Sequence, residues 1–116
     1  MESMDLRPVM SFKLYRDEKC FGPGVARLLM LVERTKSLRA AAQSMEMAYS
    51  KAWNIIKSAE CGLGFKLLSS TTGGKGGGGA VLTADAKKLM EKYKAFDSEA
   101  KAAVRELFEK YFQEYK

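Results

Sequence analysis

The chain has 116 residues, 47% of them hydrophobic, and a net charge of +6, which fits one folded basic domain and excludes wholesale disorder. It contains no histidine, so histidine-based acid–base catalysis and the usual zinc sites are excluded, and we expect no catalytic residue, metal or cofactor. Two cysteines are too few for a secreted disulfide scaffold, and no apolar run is long enough to span a membrane, so a cytoplasmic protein without a membrane partner is predicted.

The first part of the chain is predicted to form a loose N-terminal segment followed by two short strands and a helix. Residues 1–9 have no clear periodicity, whereas residues 10–16 alternate apolar and polar side chains as a half-buried strand does. A turn at 17–19 and a return strand at 20–21 follow. Gly-Pro-Gly at 22–24 then introduces a helix whose apolar stripe runs to about Thr35.

Two further helices are predicted in the middle of the chain. Ser37 is a suitable N-cap for the second helix, which carries a face of small and apolar residues. The third helix runs from about Tyr49 to Cys61 and ends at Gly62 or Gly64. Its inward positions, spaced by three and four residues, are Ala52, Ile55, Ile56 and Ala59.

A hairpin and a long helix complete the chain. Short strands at 65–69 and 80–82 flank a glycine-rich loop at 71–79, and Thr83 caps a helix that continues toward the C-terminus. Two short helices joined by a tight turn and followed by a hairpin are typical of a winged helix-turn-helix. The predicted fold is therefore mainly α with a small β-hairpin: a winged helix-turn-helix domain at 10–83 and a C-terminal dimerisation helix at 84–116.

The positive charge is concentrated in the middle of the chain. Residues 22–79 carry eight basic and three acidic side chains, a net charge of +5, whereas the flanking segments are nearly neutral. A local positive field is the electrostatic pattern expected for a polyanionic partner, here double-stranded DNA. The alternative that charge alone leaves open is an ordinary solubilising surface.

The third helix is the predicted recognition helix, because the second helix of a helix-turn-helix enters the major groove. With the apolar stripe facing inward, its outward face is polar but not acidic. Trp53 is either a residue at the boundary of the core or a contact to a base or sugar, and the first of these readings is the commoner. The predicted base-contacting and phosphate-contacting residues on this helix are Tyr49, Ser50, Lys51, Asn54 and Lys57.

Three other residues are predicted to contact DNA: Ser37 and Arg39 at phosphates, and Lys75 at either the minor groove or the phosphates. Ser37 and Arg39 stand at the start of the second helix, where free backbone N–H groups favour an anion, although Ser37 also serves as a cap. Lys75 lies in the glycine-rich loop, whose backbone can approach DNA closely. The alternative for this loop is a disordered linker.

The C-terminal helix carries more apolar residues than one compact domain can cover. They recur at steps of three and four residues from Leu89 to Tyr115, with an eleven-residue repeat. We therefore predict a homodimer in which this helix pairs with its copy. The alternative is that the helix wraps around its own domain.

Three segments carry a resemblance to a known family: SLRAAA at 37–42, MAYSKAW at 47–53 and TGGKGGGGAVLT at 72–83. Over residues 12–95 the chain resembles the DNA-binding domain of ModE-type molybdate-responsive regulators, which is itself similar to the winged helix-turn-helix of LysR-type regulators. The resemblance implies a bacterial-type transcriptional regulator that binds a palindromic operator as a homodimer. It places Tyr49, Ser50, Lys51 and Asn54 on the recognition helix and Lys75 on the wing.

Proteins of this type continue into a molybdate-binding portion, for which 116 residues leave no room, so we expect a stand-alone DNA-binding regulator that does not sense molybdate itself. The sequence identifies no other small-molecule effector. The alternative function is a protein-interaction adaptor that keeps the winged-helix fold without reading DNA.

Overall fold

The computed structural model describes residues 5–71 and 79–115, and its order of elements confirms a winged helix-turn-helix with a long C-terminal helix. No helix within these residues is both long and apolar enough to cross a membrane. In chain order the elements are β1 (Leu14–Tyr15), β2 (Lys19–Phe21), α1 (Pro23–Thr35), α2 (Leu38–Ser44), α3 (Tyr49–Leu63), β3 (Leu68–Thr71), β4 (Gly79–Leu82) and α4 (Ala84–Phe112), with a 3₁₀ turn at Gln113–Tyr115.

The hydrophobic core lies where α1, α2 and α3 pack together, closed by β2 and the hairpin. Leu28, Leu29 and Val32 of α1 are fully buried, and each such side chain contributes about 1.5–3 kcal/mol by leaving water. Ala41 and Ala42 of α2 are also buried. They belong to the face of small and apolar residues that the sequence indicated for this helix.

The turn between α2 and α3 is closed by backbone hydrogen bonds. The N–H of Met47 donates to the carbonyl of Ala42 at 3.0 Å, and Glu46 adopts a left-handed conformation with φ of 54°. Glycine is common at the left-handed position of such a turn. Because Glu46 occupies that position here, the sequence did not indicate the left-handed conformation. The turn fixes the angle at which α3 leaves the core.

The two glycines near the end of α3 have different roles. Gly64 has φ of 87° and ends the helix, so the second of the two predicted stops is the right one. Gly62 lies inside the helix, where an added Cβ atom would come within 2.6 Å of the Sγ atom of Cys20. Close packing of β2 against α3 therefore requires glycine at position 62.

The hairpin pairs β3 with β4 in antiparallel register from Leu68 opposite Leu82 to Thr71 opposite Gly79. The predicted strand at 65–69 begins later than expected. The N–H groups of Leu67 and Leu68 donate to the carboxylate of Glu60, so a side chain takes the place of a strand partner there. The N–H of Ala80 donates to the carbonyl of Lys36 at 3.0 Å, which ties the hairpin to the turn before α2.

The N-terminal segment forms less strand than the alternation at 10–16 predicted. Only Leu14 and Tyr15 pair with β2. The carbonyl of Phe12 accepts a hydrogen bond from the hydroxyl of Tyr93 at 2.7 Å, and its ring meets that of Phe96 edge-on. This segment therefore lies along α4, and its alternation reflects packing on a helix instead of pairing in a sheet.

Candidate DNA-binding surface

Helix α3 presents one buried face and one exposed face, as a recognition helix requires. Ala52, Ile56 and Ala59 are buried, while Ile55 is only partly buried. The residues predicted to point outward are exposed except for Lys57, which is half-buried; the exposed ones are Ser50, Lys51, Asn54 and Ser58. The buried and exposed faces of α3 are therefore nearly those that the spacing of its apolar residues predicted.

Three of the predicted site residues line one depression. Ser50, Lys51 and Asn54 stand around a shallow cavity of about 480 Å³, whose floor includes Met47 and Ile55. An amide, an ammonium group and a hydroxyl are thereby brought together at the first turns of α3. These groups match the hydrogen-bonding edges of adenine and guanine in the major groove.

The other predicted residues of α2 and α3 lie on the opposite side of the recognition helix. The guanidinium of Arg39 sits 4.3 Å from the centre of the Tyr49 ring, and the ammonium of Lys57 sits 5.2 Å from the centre of the Trp53 ring. Each pair is a cation–π contact. We call the space that these four residues line, together with Ser69, Ser70 and Ala80 of the hairpin, the α3–hairpin cleft.

Glu60 lies outside this cleft and contacts two residues that line it, Lys57 and Leu68. Its carboxylate is 8% exposed, accepts the N–H of Leu67 at 2.7 Å and that of Leu68 at 3.3 Å, and lies 3.4 Å from the ammonium of Lys57. Burial raises the pKa of Glu60, but the two backbone hydrogen bonds and Lys57 together outweigh burial and leave the pKa below its ordinary value. The group is therefore an anion that binds the start of β3 to α3 and offsets part of the charge of Lys57.

Ser37 has the structural role predicted for it. Its hydroxyl oxygen accepts the N–H of Ala40 at 3.0 Å and so caps α2. Its contact with a phosphate stays a prediction, and so do the DNA contacts of the other predicted residues. Lys75 lies outside the described residues.

Sequence reasoning missed part of this surface. Trp53 is 45% exposed and lines the cleft, and neither Ser69 nor Ser70 was predicted as a site residue. A signal for Trp53 was present, since Tyr49, Trp53 and Lys57 recur every four residues and must share one side of the helix. The serines gave no signal, because only the folded hairpin places them opposite α3.

Comparison with known proteins identifies the segment that forms this surface. Residues 25–87 match the family described as bacterial regulatory helix-turn-helix protein, lysR family. The match begins within α1, includes α2, α3 and the hairpin, and ends at the start of α4. It therefore covers all the elements that carry the predicted DNA contacts.

Curated relatives match between 61% and 72% of the chain. The molybdenum-pterin-binding protein MopB of Rhodobacter capsulatus is 37% identical over 71 residues, or 61% of this chain and 26% of that protein. The transcriptional regulator ModE of Haemophilus influenzae is 34% identical over 71 residues, or 61% and 28%. The molybdenum transport protein ModE of Azotobacter vinelandii is 31% identical over 84 residues, or 72% and 31%. The chain thus spans between about a quarter and a third of the length of these relatives.

Proposed function

The chain belongs to the lysR family of bacterial regulatory helix-turn-helix proteins and carries a DNA-binding domain of the ModE type. We propose that it is a homodimeric transcriptional regulator that reads a palindromic DNA site. The observation that carries the proposal is the exposed face of α3, which is polar, free of acidic side chains in its first turns and backed by a buried apolar face. The family description and the name of the Haemophilus influenzae relative indicate a regulator and not an enzyme, and a protein that acts on DNA belongs in the cytoplasm.

Sequence discrimination is assigned to the first turns of α3. Asn54 can hold adenine through two hydrogen bonds, Lys51 can reach the acceptors of guanine, and Ser50 can bond to either base. All three side chains are exposed around one depression, so one stretch of major groove can meet them together.

Sequence-independent affinity is assigned to the charges around α3. Arg39, Lys57 and Lys75 carry positive charge at α2, α3 and the predicted wing, and Ser37 stands at the start of α2. Cations on phosphates release condensed counterions, so binding must weaken steeply as salt rises. This dependence separates phosphate contacts from the uncharged base contacts of Ser50 and Asn54.

Dimerisation is assigned to α4, because its second half exposes large apolar side chains. Leu107 is 54% exposed and Tyr111 is 63% exposed, and Phe112 and Tyr115 are exposed beside them. A contiguous apolar strip of this kind is costly in water and marks an interaction surface. A second copy is the simplest partner, because two-fold pairing would place two recognition helices on the two halves of a palindrome.

The DNA-reading part of the proposal is tested by selecting bound sites from a randomised duplex pool and then measuring affinity for the selected site. Lys51→Ala and Asn54→Ala are each expected to cost about 1–3 kcal/mol on that site and much less on an unrelated duplex. Lys94→Ala, which removes an exposed lysine from α4, is the matched control. If both α3 variants bind the selected site like the wild type, the recognition helix is wrongly assigned.

The dimer is tested separately by light scattering at micromolar concentration. Leu107→Glu is expected to shift the protein from dimer to monomer by placing a charge in the apolar strip. Ala102→Glu adds the same charge to the opposite side of α4, which follows from the helical spacing, and is expected to leave the dimer intact. A monomeric wild type would contradict the role of α4, whatever the DNA measurements show.

The names of the relatives add a proposal about target genes, because two of them refer to molybdenum transport and to molybdenum-pterin binding. We assign the regulated genes to molybdenum handling. Transcript profiles of cells with and without this protein test the assignment, and it is refuted if only unrelated genes respond.

A further inference from the structure

The α3–hairpin cleft is a second candidate nucleic-acid contact, separate from the depression that holds Ser50, Lys51 and Asn54. It measures about 370 Å³ and lies between the side of α3 and the exposed strand β3. Aromatic and cationic residues of α2 and α3 line one side of it, and Ser69 and Ser70 of β3 line the other.

The electrostatics of the cleft favour a polyanion. None of the described residues that line it is acidic, while Arg39 and Lys57 both contribute positive charge. Lys57 contributes the smaller share, because its ammonium is also within 3.4 Å of the Glu60 carboxylate. Arg39 is exposed and its guanidinium is planar, which suits a phosphate oxygen better than a lysine ammonium does.

The aromatic side chains in the cleft are held in place before any ligand arrives. The ring of Tyr49 is covered on one side by Arg39, and the ring of Trp53 by Lys57. Trp53 nevertheless keeps 45% of its surface exposed, far more than packing of the core would leave to so large a side chain. A flat apolar surface beside cations and hydroxyls is complementary to a sugar joined to a phosphate.

The position of the cleft indicates which part of the DNA would reach it. The major and minor grooves of a duplex are separated by one sugar–phosphate backbone. A helix in the major groove and a hairpin over the neighbouring minor groove must therefore have that backbone between them. The space between α3 and the hairpin is the α3–hairpin cleft.

We propose that this cleft seats the sugar–phosphate backbone of one DNA strand, with Trp53 packed against a deoxyribose and with Arg39 and a serine hydroxyl of β3 bonded to the adjoining phosphate. The inference rests on the proposed function and adds residues to it. Sugar and phosphate are the same in every sequence, so these residues supply affinity without supplying sequence preference. This distinguishes them from Lys51 and Asn54.

The first measurement uses the intrinsic fluorescence of Trp53, the one tryptophan in the chain. The full chain is titrated with a duplex of arbitrary sequence and with the single strand of the same sequence. We expect the duplex to change the tryptophan emission along the same isotherm as the anisotropy of a labelled duplex. Unchanged emission at saturating duplex, or a response at lower concentration with the single strand, overturns the inference.

The second measurement compares variants on a selected site and on an unrelated duplex. Trp53→Ala is expected to weaken binding to both by the same factor, about fivefold to tenfold, which is the lower end of the range for loss of an aromatic contact to a base. Trp53→Phe is expected to recover part of this loss, because it restores a flat ring. Tyr15→Ala, which removes another exposed ring (65% exposed) outside the cleft, is expected to leave binding unchanged.

Salt dependence then separates the charged contact from the neutral ones. Arg39→Ala is expected to reduce the slope of log affinity against log salt by about one, whereas the double change of Ser69→Ala and Ser70→Ala weakens binding at unchanged slope. If Trp53→Ala and the serine double variant bind both duplexes like the wild type, the cleft is not a DNA contact, although the recognition helix still stands. If the wild type binds no duplex at all, the proposed function and this inference both fail.

Discussion

Replacing Glu60 with glutamine tests whether one buried carboxylate holds the hairpin to α3. In the wild type the carboxylate accepts two backbone N–H groups, from Leu67 at 2.7 Å and from Leu68 at 3.3 Å, and pairs with Lys57 at 3.4 Å. Glutamine has nearly the same shape and keeps an oxygen acceptor. The substitution therefore removes charge while leaving the packing in place.

The expected loss of unfolding free energy can be worked from these contacts. A hydrogen bond to a charged group contributes roughly 1 kcal/mol more to stability than a hydrogen bond between neutral groups. The partly exposed ion pair between Glu60 and Lys57 contributes up to about 1 kcal/mol. The longer of the two backbone bonds contributes less than the shorter one. Glu60→Gln should therefore cost about 2 kcal/mol, a large share of the roughly 5–15 kcal/mol that stabilises a domain.

Two further variants bracket this value. Lys57→Ala removes only the ion pair and should cost less than about 1 kcal/mol, because the side chain of Lys57 is 41% exposed. Glu60→Ala leaves the N–H of Leu67, a residue with no exposed surface, without its acceptor, and should cost about 3 kcal/mol or more. The three variants should therefore rank in the order Lys57→Ala, Glu60→Gln, Glu60→Ala.

Urea unfolding followed by circular dichroism at one fixed protein concentration measures these differences. Glu60→Gln should lower the midpoint by about 1 M urea at neutral pH. Because the pKa of Glu60 in the folded protein lies below its ordinary value of 4.5, the charged form stabilises the fold above that pH. The advantage of the wild type over Glu60→Gln should then disappear as the pH falls through the folded pKa.

Two outcomes would refute this account of Glu60. If Glu60→Gln and the wild type unfold at the same urea concentration at neutral pH, the carboxylate does not hold the hairpin. If the difference between them stays constant down to pH values well below 4.5, it arises from packing and not from the charge of Glu60.

Three other substitutions test contacts elsewhere in the fold. Gly62→Ala should cost about 1–3 kcal/mol in urea unfolding because its methyl group would overlap the Sγ atom of Cys20, and a second change, Cys20→Ala, should recover part of the loss. Tyr93→Phe should cost about 1 kcal/mol by removing the hydroxyl that bonds to Phe12, and proteolysis should cut the N-terminal segment faster in this variant. Ser37→Ala should cost about 1 kcal/mol of stability through the lost cap of α2, and the preference for a selected DNA site over an unrelated one should not change.

Features that depend on neighbours in the chain were predictable from the sequence. Ser37 and Thr83 cap the helices they precede, because a hydroxyl at that position reaches an N–H group three residues later. The apolar spacing of α3 correctly indicated Ala52, Ile56 and Ala59 as its buried face. Each of these inferences uses only the geometry of a single helix.

Features that depend on contacts distant in sequence were not predictable in the same way. Gly62, one of the two predicted helix stops, lies inside α3 and packs against Cys20, which is some forty residues earlier in the chain, while the helix ends at Gly64. The strand predicted at 10–16 was shortened because Phe12 meets Tyr93 and Phe96 of α4. The alternation of apolar and polar residues at 10–16 does mark a segment with one packed side, but that side packs against α4 and not against a strand.

The sequence alone determined the kind of protein: a small basic chain with a helix-turn-helix, a hairpin and a long helix that carries an apolar stripe. The physical reason is that charge and helical periodicity can be seen in the order of the residues without knowledge of the fold. Tertiary structure decided how the candidate surface is divided. Folding places Ser50, Lys51 and Asn54 on one side of α3, and Arg39, Tyr49, Trp53 and Lys57 on the other, opposite the serines of β3. The physical reason is that a cleft between two elements exists only once the core, and the buried carboxylate of Glu60, have fixed the hairpin against the helix.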